Sequence, residues 1–553
     1  MWVSEYHINR HVLLSTGSII FKRTNMTADN KKQLSYYEIA QQTKERLNNI
    51  SPSMCMAKWL QVSMHLPAGL TQSCYHPPTH TVPLDELALT PHALHNTREK
   101  IEQRKLMLKG ERPSGCQYCW NIEDAPNGPH LSDRHYRSSE SWVGDGWDKV
   151  IEGKSDENIN PRYVEVNFNQ ACNFKCAYCS PHLSTAWEQE YKEFGKFEMP
   201  KGGSFHDVNS LRERGLMPLP GKNADNPYVK AFWEWWPDLY NDLKVFRMTG
   251  GEPLMDKNTF KVLDYVNSNP KNDLELSITS NMCPPDQKLF DKFIFGIKKL
   301  EEIRIWYDEN RINSGTHNHW FIGPAMQNFT LFISLDTVGN HANYIRNGLD
   351  YDKLMDNTRR FLRETDSTVI SFINTFNITS IPRLKDFLQM ILDLRVEFGW
   401  ENQTEKLKSP PPDGNGFQHP PEVYNKKRQR IWFDIPYLRL PDWLSAQNAI
   451  YYPEMMKLMY EALSFMEENR EKENYGRTYH GFKDHEIAKL KRDIAWIETG
   501  REQVSEATIV GRRQSFYSFF SEVDRRRGTS FIENFPEMQQ WWEDCIRDKD
   551  KYK

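Results

Sequence analysis

No apolar run in the 553 residues approaches the length of a bilayer-spanning helix, which argues against a membrane-embedded chain. The stretch from Val12-Leu13-Leu14 to Ile19-Ile20-Phe21 is short and broken by Ser, Thr and Gly, so it does not read as a signal peptide. Charge of one sign is lacking too. Lys and Arg total 71 against 75 Asp and Glu, a formal net charge of −4, which argues against a nucleic-acid partner. Internal repeats are absent. Only nine cysteines are present, an odd number without an export signal, so a disulfide scaffold is excluded and metal binding is favoured. The chain reads as cytoplasmic, with no membrane partner. Its 13% aromatic content argues against extensive disorder, and its length exceeds one ordinary domain.

Four regions emerge along the chain. Residues 1–45 are polar and weakly patterned and read as a disordered leader. Residues 46–150 carry many turn formers, such as Pro67, Gly69, Pro77-Pro78, Pro113 and Gly115, and read as a loop-rich module held by a metal. Residues 151–440 alternate short β-rich runs with helical ones. Strands are predicted at Tyr163–Phe168, Lys244–Met248, Leu274–Thr279, Thr330–Leu335, Val369–Asn374 and Ile431–Ile435. Helices are predicted between them, including Asn258–Val266, Tyr351–Arg363 and Leu384–Leu394. That alternation implies an α/β fold with parallel strands, either an open sheet or a barrel. A Pro- and Gly-rich stretch, Ser409–Gly416, reads as a loop before the last strand. Residues 441–553 read as a helical extension, in which Arg512-Arg513 and Arg525-Arg526-Arg527 look like solvated helix faces.

Seven of the nine cysteines fall into two groups. Cys172, Cys176 and Cys179 are spaced by three and then two residues, just after the first predicted strand of the core. Three thiolates on one short loop can ligate three irons of a 4Fe–4S cluster and leave the fourth open. A structural zinc site is the alternative and would need a fourth ligand, for which His182 is near. At the strand ends that follow stand Thr249-Gly250-Gly251-Glu252-Pro253, then Ser280-Asn281, then Ser334-Leu335-Asp336, with Arg346 beyond. Glycines allow close backbone approach, Glu252 can accept from an ammonium, and a guanidinium can pair with a carboxylate.

The cysteine loop, including Tyr178 before its third cysteine, resembles the signature of radical S-adenosylmethionine (SAM) enzymes, and Gly250-Gly251-Glu252-Pro253 resembles that family's GGEP motif. The resemblance implies a partial (β/α)6 TIM-type barrel and a 4Fe–4S cluster whose open iron is chelated by SAM. It implies that Tyr178, Gly250, Gly251, Glu252, Pro253, Ser280, Asn281, Ser334, Asp336 and Arg346 line the SAM site. Asn374 and Asn377 are further candidates near ribose or adenine. The implied reaction is reductive SAM cleavage to a 5′-deoxyadenosyl radical that abstracts hydrogen from a substrate. A flavodoxin- or ferredoxin-like electron donor is implied as partner.

The second group is Cys55, Cys74, Cys116 and Cys119, which can close a tetrahedral zinc site or fully ligate a second cubane cluster. Its Cys…Gly…Cys opening resembles SPASM and twitch domains, with the twitch arrangement of one auxiliary 4Fe–4S cluster. Here the module precedes the core, and the further cysteines of a full SPASM domain are missing. Modules of this kind imply a peptide or protein substrate, with a small molecule as the alternative. A metal-stapled, non-catalytic binding protein is the competing class. Cys283 and Cys545 read as packing residues, and His65, His76, His80 and His130 have no spacing that selects a ligand among them.

Overall fold

The computed structural model describes residues 35–126, 130–153, 158–200, 206–221, 225–271, 273–313, 328–366, 368–398, 430–471, 480–500 and 504–551. Most of the leader and the Ser409–Gly416 loop lie outside these residues. In chain order the strands are β1 (Gln61–His65), β2 (Leu70–Gln72), β3 (His80–Thr81), β4 (Tyr163–Asn167), β5 (Lys175–Cys176), β6 (Val245–Thr249), β7 (Glu275–Ser280), β8 (Asn328–Ser334), β9 (Arg346–Asn347), β10 (Val369–Ile373) and β11 (Ile431–Asp434).

Nine of them form one sheet in the order β11-β10-β8-β7-β6-β4-β1-β2-β3. The six predicted core strands are β4, β6, β7, β8, β10 and β11. They pair in parallel, each with its successor, so every C-terminal end opens on the same edge. Amphipathic helices supply the crossovers. In Tyr351–Glu364, Asp350 caps the first turn, and Leu354, Met355, Phe361 and Leu362 face the core at helical spacing.

The N-terminal module departs from the loop-rich expectation. Its β1 continues the sheet by pairing in parallel with β4, and β2 and β3 follow antiparallel. Val62 and Met64 point into the main core, while Gln61 and Ser63 on the other face are equally buried. That polar alternate face is why β1 does not stand out as a strand in the sequence. A helix at Tyr36–Asn48 also begins inside the supposed leader. Ser35 and Glu38 form its capping box, and Ala40 and Leu47 are buried.

The arginine runs are a second correction, since most of them are not solvated. Arg512 pairs with Asp442 at 3.0 Å, and Arg513 with Asp548 at 2.8 Å. In the helix Glu506–Arg527, Arg526 bonds Glu522 at 2.7 Å and Arg527 reaches Glu190 at 3.2 Å. Only Arg525 of that triplet is mostly exposed. Glu190 also holds Lys175 of the cysteine loop at 2.6 Å, so the C-terminal extension is docked on the back of that loop. No described helix is long and apolar enough to cross a membrane.

Candidate active site

The cysteine loop leaves β4 and returns against β9 through the short pair β5–β9, which sets Cys176 opposite Arg346. The Trp187 indole N–H donates to the Cys176 carbonyl at 3.0 Å, and Thr185 Oγ1 accepts from the Cys172 amide at 3.2 Å. Burial pushes the Cys172 thiol up to about 12, with the neighbouring Cys176 thiolate adding to it. Burial likewise raises Cys176, against the pull of Arg346. Thiols in this state must lose protons to bind iron, so metal loading is proton-coupled.

The GGEP segment lies directly against this loop. The Glu252 amide donates to the Ala171 carbonyl at 2.6 Å, and the Gly251 amide to the Asn169 carbonyl at 3.3 Å. A Cβ on Gly251 would lie 2.3 Å from the Ala171 carbonyl oxygen, and one on Gly250 (φ +121°) 2.2 Å from Asn167 Oδ1. Gly251 therefore admits the cysteine loop itself and Gly250 the Asn167 side chain at the end of β4, a more specific reason than the general one of ligand approach.

Glu252 is buried and held from three sides. Its carboxylate accepts from Ser280 Oγ at 2.8 Å, the Asn281 amide at 2.6 Å and the Leu254 amide at 3.0 Å. Burial raises its carboxyl to about 7, against those hydrogen bonds. Ser280 and Asn281, expected to line the SAM site, thus orient Glu252. Asn281 also donates to Asn173 inside the cysteine loop at 3.0 Å, joining β7 to that loop.

Arg346 is fully enclosed. Its Nε lies 3.2 Å from Asp336 Oδ2 and its Nη1 3.6 Å from Cys176 Sγ. The same Asp336 accepts from the Tyr178 hydroxyl at 2.7 Å and the Thr375 amide at 2.9 Å. Burial opposes the Arg346 charge, but Asp336 and the cysteine thiolates outweigh it and hold the guanidinium protonated. Tyr178, Asp336 and Arg346 therefore form one network at the mouth of β8. Ser334 is half-buried at the strand end, and Pro253 opens a short 3-10 turn. Asn377 is spent on capping that region's own turn, with Oδ1 accepting from the Thr379 amide at 3.0 Å. Asn374 is buried, and both polar atoms of its side chain lack a partner. Asn167 is the contributor that the sequence reading missed. Its Oδ1 is buried without a partner beside Gly250, and an asparagine closing a β-run is its sole signal.

The second group also converges: Cys55, Cys74, Cys116 and Cys119 line one cavity with Lys58, His76, Asp133 and Arg134. His76 stacks on Tyr118 and bonds Asp133 at 2.5 Å, so it is committed elsewhere. No set of three or more His, Cys, Asp and Glu among the described residues has the arrangement of a single-metal-ion site. Cys283 is buried with its Sγ toward the Asp350 carbonyl at 3.4 Å, and Cys545 is fully buried beside Trp541.

No protein-family model matches the chain. It is 25% identical over 138 residues to a GTP 3',8-cyclase of Campylobacter lari, covering 25% of this chain and 33% of that protein. It is 28% identical over 126 residues to the GTP 3',8-cyclase of Campylobacter jejuni subsp. doylei, covering 23% and 28%. The chain thus matches about a third of the length of these curated relatives. Among solved structures, Streptococcus suis SuiB aligns with a TM-score of 0.28 at 11% identity, over 66% of this chain and 63% of SuiB. SuiB bound to precursor peptide SuiA gives 0.26 at 12% identity, over 61% and 60%. SuiB bound to S-adenosylmethionine gives 0.26 at 12%, over 62% and 61%. Scores this low leave the SuiB alignments without bearing on the architecture. The likeness to the cyclases is confined to the matched stretch.

Proposed function

We propose that this protein is a radical SAM enzyme built on a partial-barrel core. The observation that carries the reading is the convergence of four successive strand ends, those of β4, β6, β7 and β8, on one three-cysteine loop. Cys172, Cys176 and Cys179 would hold a 4Fe–4S cluster, and the donor set fits, because three thiolates leave one iron for a non-protein ligand. When bound, the cluster and SAM supply one-electron cleavage of a sulfonium and a carbon radical able to take a hydrogen atom.

The chain's own residues do the positioning. Gly250 and Gly251 seat the loop, Glu252 and Pro253 present a carboxylate suited to an ammonium, and Ser280 and Asn281 fix its orientation. Arg346 offers a guanidinium to a carboxylate while Asp336 and Tyr178 hold it in place. Asp336, Arg346 and Tyr178 are all buried, so this charge pair works away from bulk water.

The substrate we read as a peptide or protein, on the resemblance of the second cysteine group to twitch modules. The likeness to GTP 3',8-cyclases favours a nucleotide as the second reading. The enzyme reading is tested by anaerobic reconstitution with iron and sulfide, followed by SAM and dithionite. Formation of 5′-deoxyadenosine in the parent protein and its loss in Cys176→Ala is the expected result. An intact cluster without any SAM cleavage would refute it. Including peptide libraries and GTP as additions in the same assay separates the two substrate classes.

A further inference from the structure

The cavity of the four-cysteine group is bordered by buried cations that have no carboxylate partner. Lys58 lines the cavity and is 3% exposed, and its ammonium donates to the neutral Gln103 Oε1 at 2.6 Å. Lys100 does not line the cavity but lies behind it, close enough to Cys74 and Lys58 to interact with their charges. It is 1% exposed, and its ammonium donates to the neutral Thr71 Oγ1 at 2.8 Å. One layer behind, fully buried Arg104 donates to Asn96 Oδ1 at 2.8 Å and to the Lys58 carbonyl at 3.3 Å. Among the described residues no carboxylate comes within ion-pair distance of any of these three. The other two arginines of the cavity are different, since Arg134 pairs with Glu123 at 2.7 Å and Arg137 with Glu140 at 2.6 Å.

Desolvating an ammonium without a counter-charge costs several kcal/mol, so two such lysines side by side demand a source of negative charge. Four thiolates around an oxidised cubane cluster carry a net charge of about −2, which two lysines balance. We propose that Lys58 and Lys100 are the built-in counter-charge of an anionic tetrathiolate metal centre on Cys55, Cys74, Cys116 and Cys119. The proposal rests on reading those cysteines as the ligands of a second iron–sulfur cluster, since they lack the arrangement of a single-metal-ion site. The lysines stabilise the more negative reduced form of the cluster and raise its reduction potential.

The role has a signature that a structural lysine lacks, which is a reversal of sign with metal occupancy. The test uses the full chain with Cys172, Cys176 and Cys179 changed to Ala, so that only the second site binds metal. Lys58→Met, Lys100→Met and, as a milder change, Lys100→Gln are compared with that background, loaded and metal-free. Each variant is expected to lose metal to a chelator at least tenfold faster, yet to melt at a higher temperature than its background when metal-free. With iron bound, a tenfold shift of the reduction equilibrium appears as a midpoint potential lowered by about 59 mV. Equal destabilisation of both states, or unchanged metal retention, would overturn the proposal. Zinc instead of iron in the background, or metal content that does not fall in Cys116→Ser, would overturn it as well.

Discussion

The two cysteine groups make opposite use of their surroundings. The loop at 172–179 hangs on the C-terminal edge of the sheet, and buried carboxylates from later strand ends, Glu252 and Asp336, crowd around it. The quartet at 55–119 sits in a cavity lined by Lys58, Arg134 and Arg137 as well as Asp133, and Lys100 is buried close behind it. Three ligands beside mixed polar groups suit a site that must accept a further molecule with an ammonium and a carboxylate. Four ligands inside a cationic shell suit a closed centre that stores charge. The sign and arrangement of neighbouring charge separate the sites as clearly as the ligand count does.

The largest effect expected from breaking this contrast is a complete one. Cys176→Ala should abolish 5′-deoxyadenosine formation, whereas Cys116→Ser should leave SAM cleavage without substrate measurable while iron and sulfide content falls. Loss of cleavage in both variants would mean that the groups are not separable. Next comes Gly251→Ala, which drives a methyl into the Ala171 carbonyl. Rigid backbone faces it on that side, so iron at the three-cysteine site should drop severalfold, with the quartet's metal unchanged by metal analysis in each cysteine background.

Glu190→Gln leaves Lys175, Arg526 and Arg527 without their buried carboxylate. Removing one partner of such a set costs about 3–5 kcal/mol. Chemical denaturation should record that loss, and the cysteine loop should become the more easily cleaved by protease of the two sites. The smallest effect concerns Glu252, whose carboxyl is raised to about 7 in the fold. A raised acid favours the protonated folded state, so its contribution is complete below its ordinary range near 4.5 and is lost as pH climbs through 7. In protein free of SAM, Glu252→Gln should flatten the stability profile between about pH 5 and 7, measured by denaturation across that range.

The six core strands were legible because each is a short β-branched or aromatic run bounded by turn formers, and their ends fell within two residues of those observed. The cysteine spacing and Gly250-Gly251-Glu252-Pro253 were legible because both are contiguous in the chain. What stayed hidden depends on neighbours. β1 alternates Val62 and Met64 with Gln61, Ser63 and His65, so three of its five residues look like surface although most are buried. Arg526 and Arg527 look solvated until the helix that carries them meets Glu190, more than three hundred residues earlier. The partnership of Ser280 and Asn281 with Glu252 was invisible for the same reason. Lys58 and Lys100 carry no sequence mark of burial at all.

The central claim is that one centre is open to SAM and the other closed, and electron paramagnetic resonance of the reduced protein tests it most directly. Spectra would be taken with and without SAM in the parent, in Cys116→Ser and in Cys172→Ala/Cys176→Ala/Cys179→Ala. SAM should change the signal in the parent and in Cys116→Ser, and leave the signal of the triple variant unchanged. A SAM-dependent change in the triple variant, or none in Cys116→Ser with its remaining cluster intact, would contradict the account.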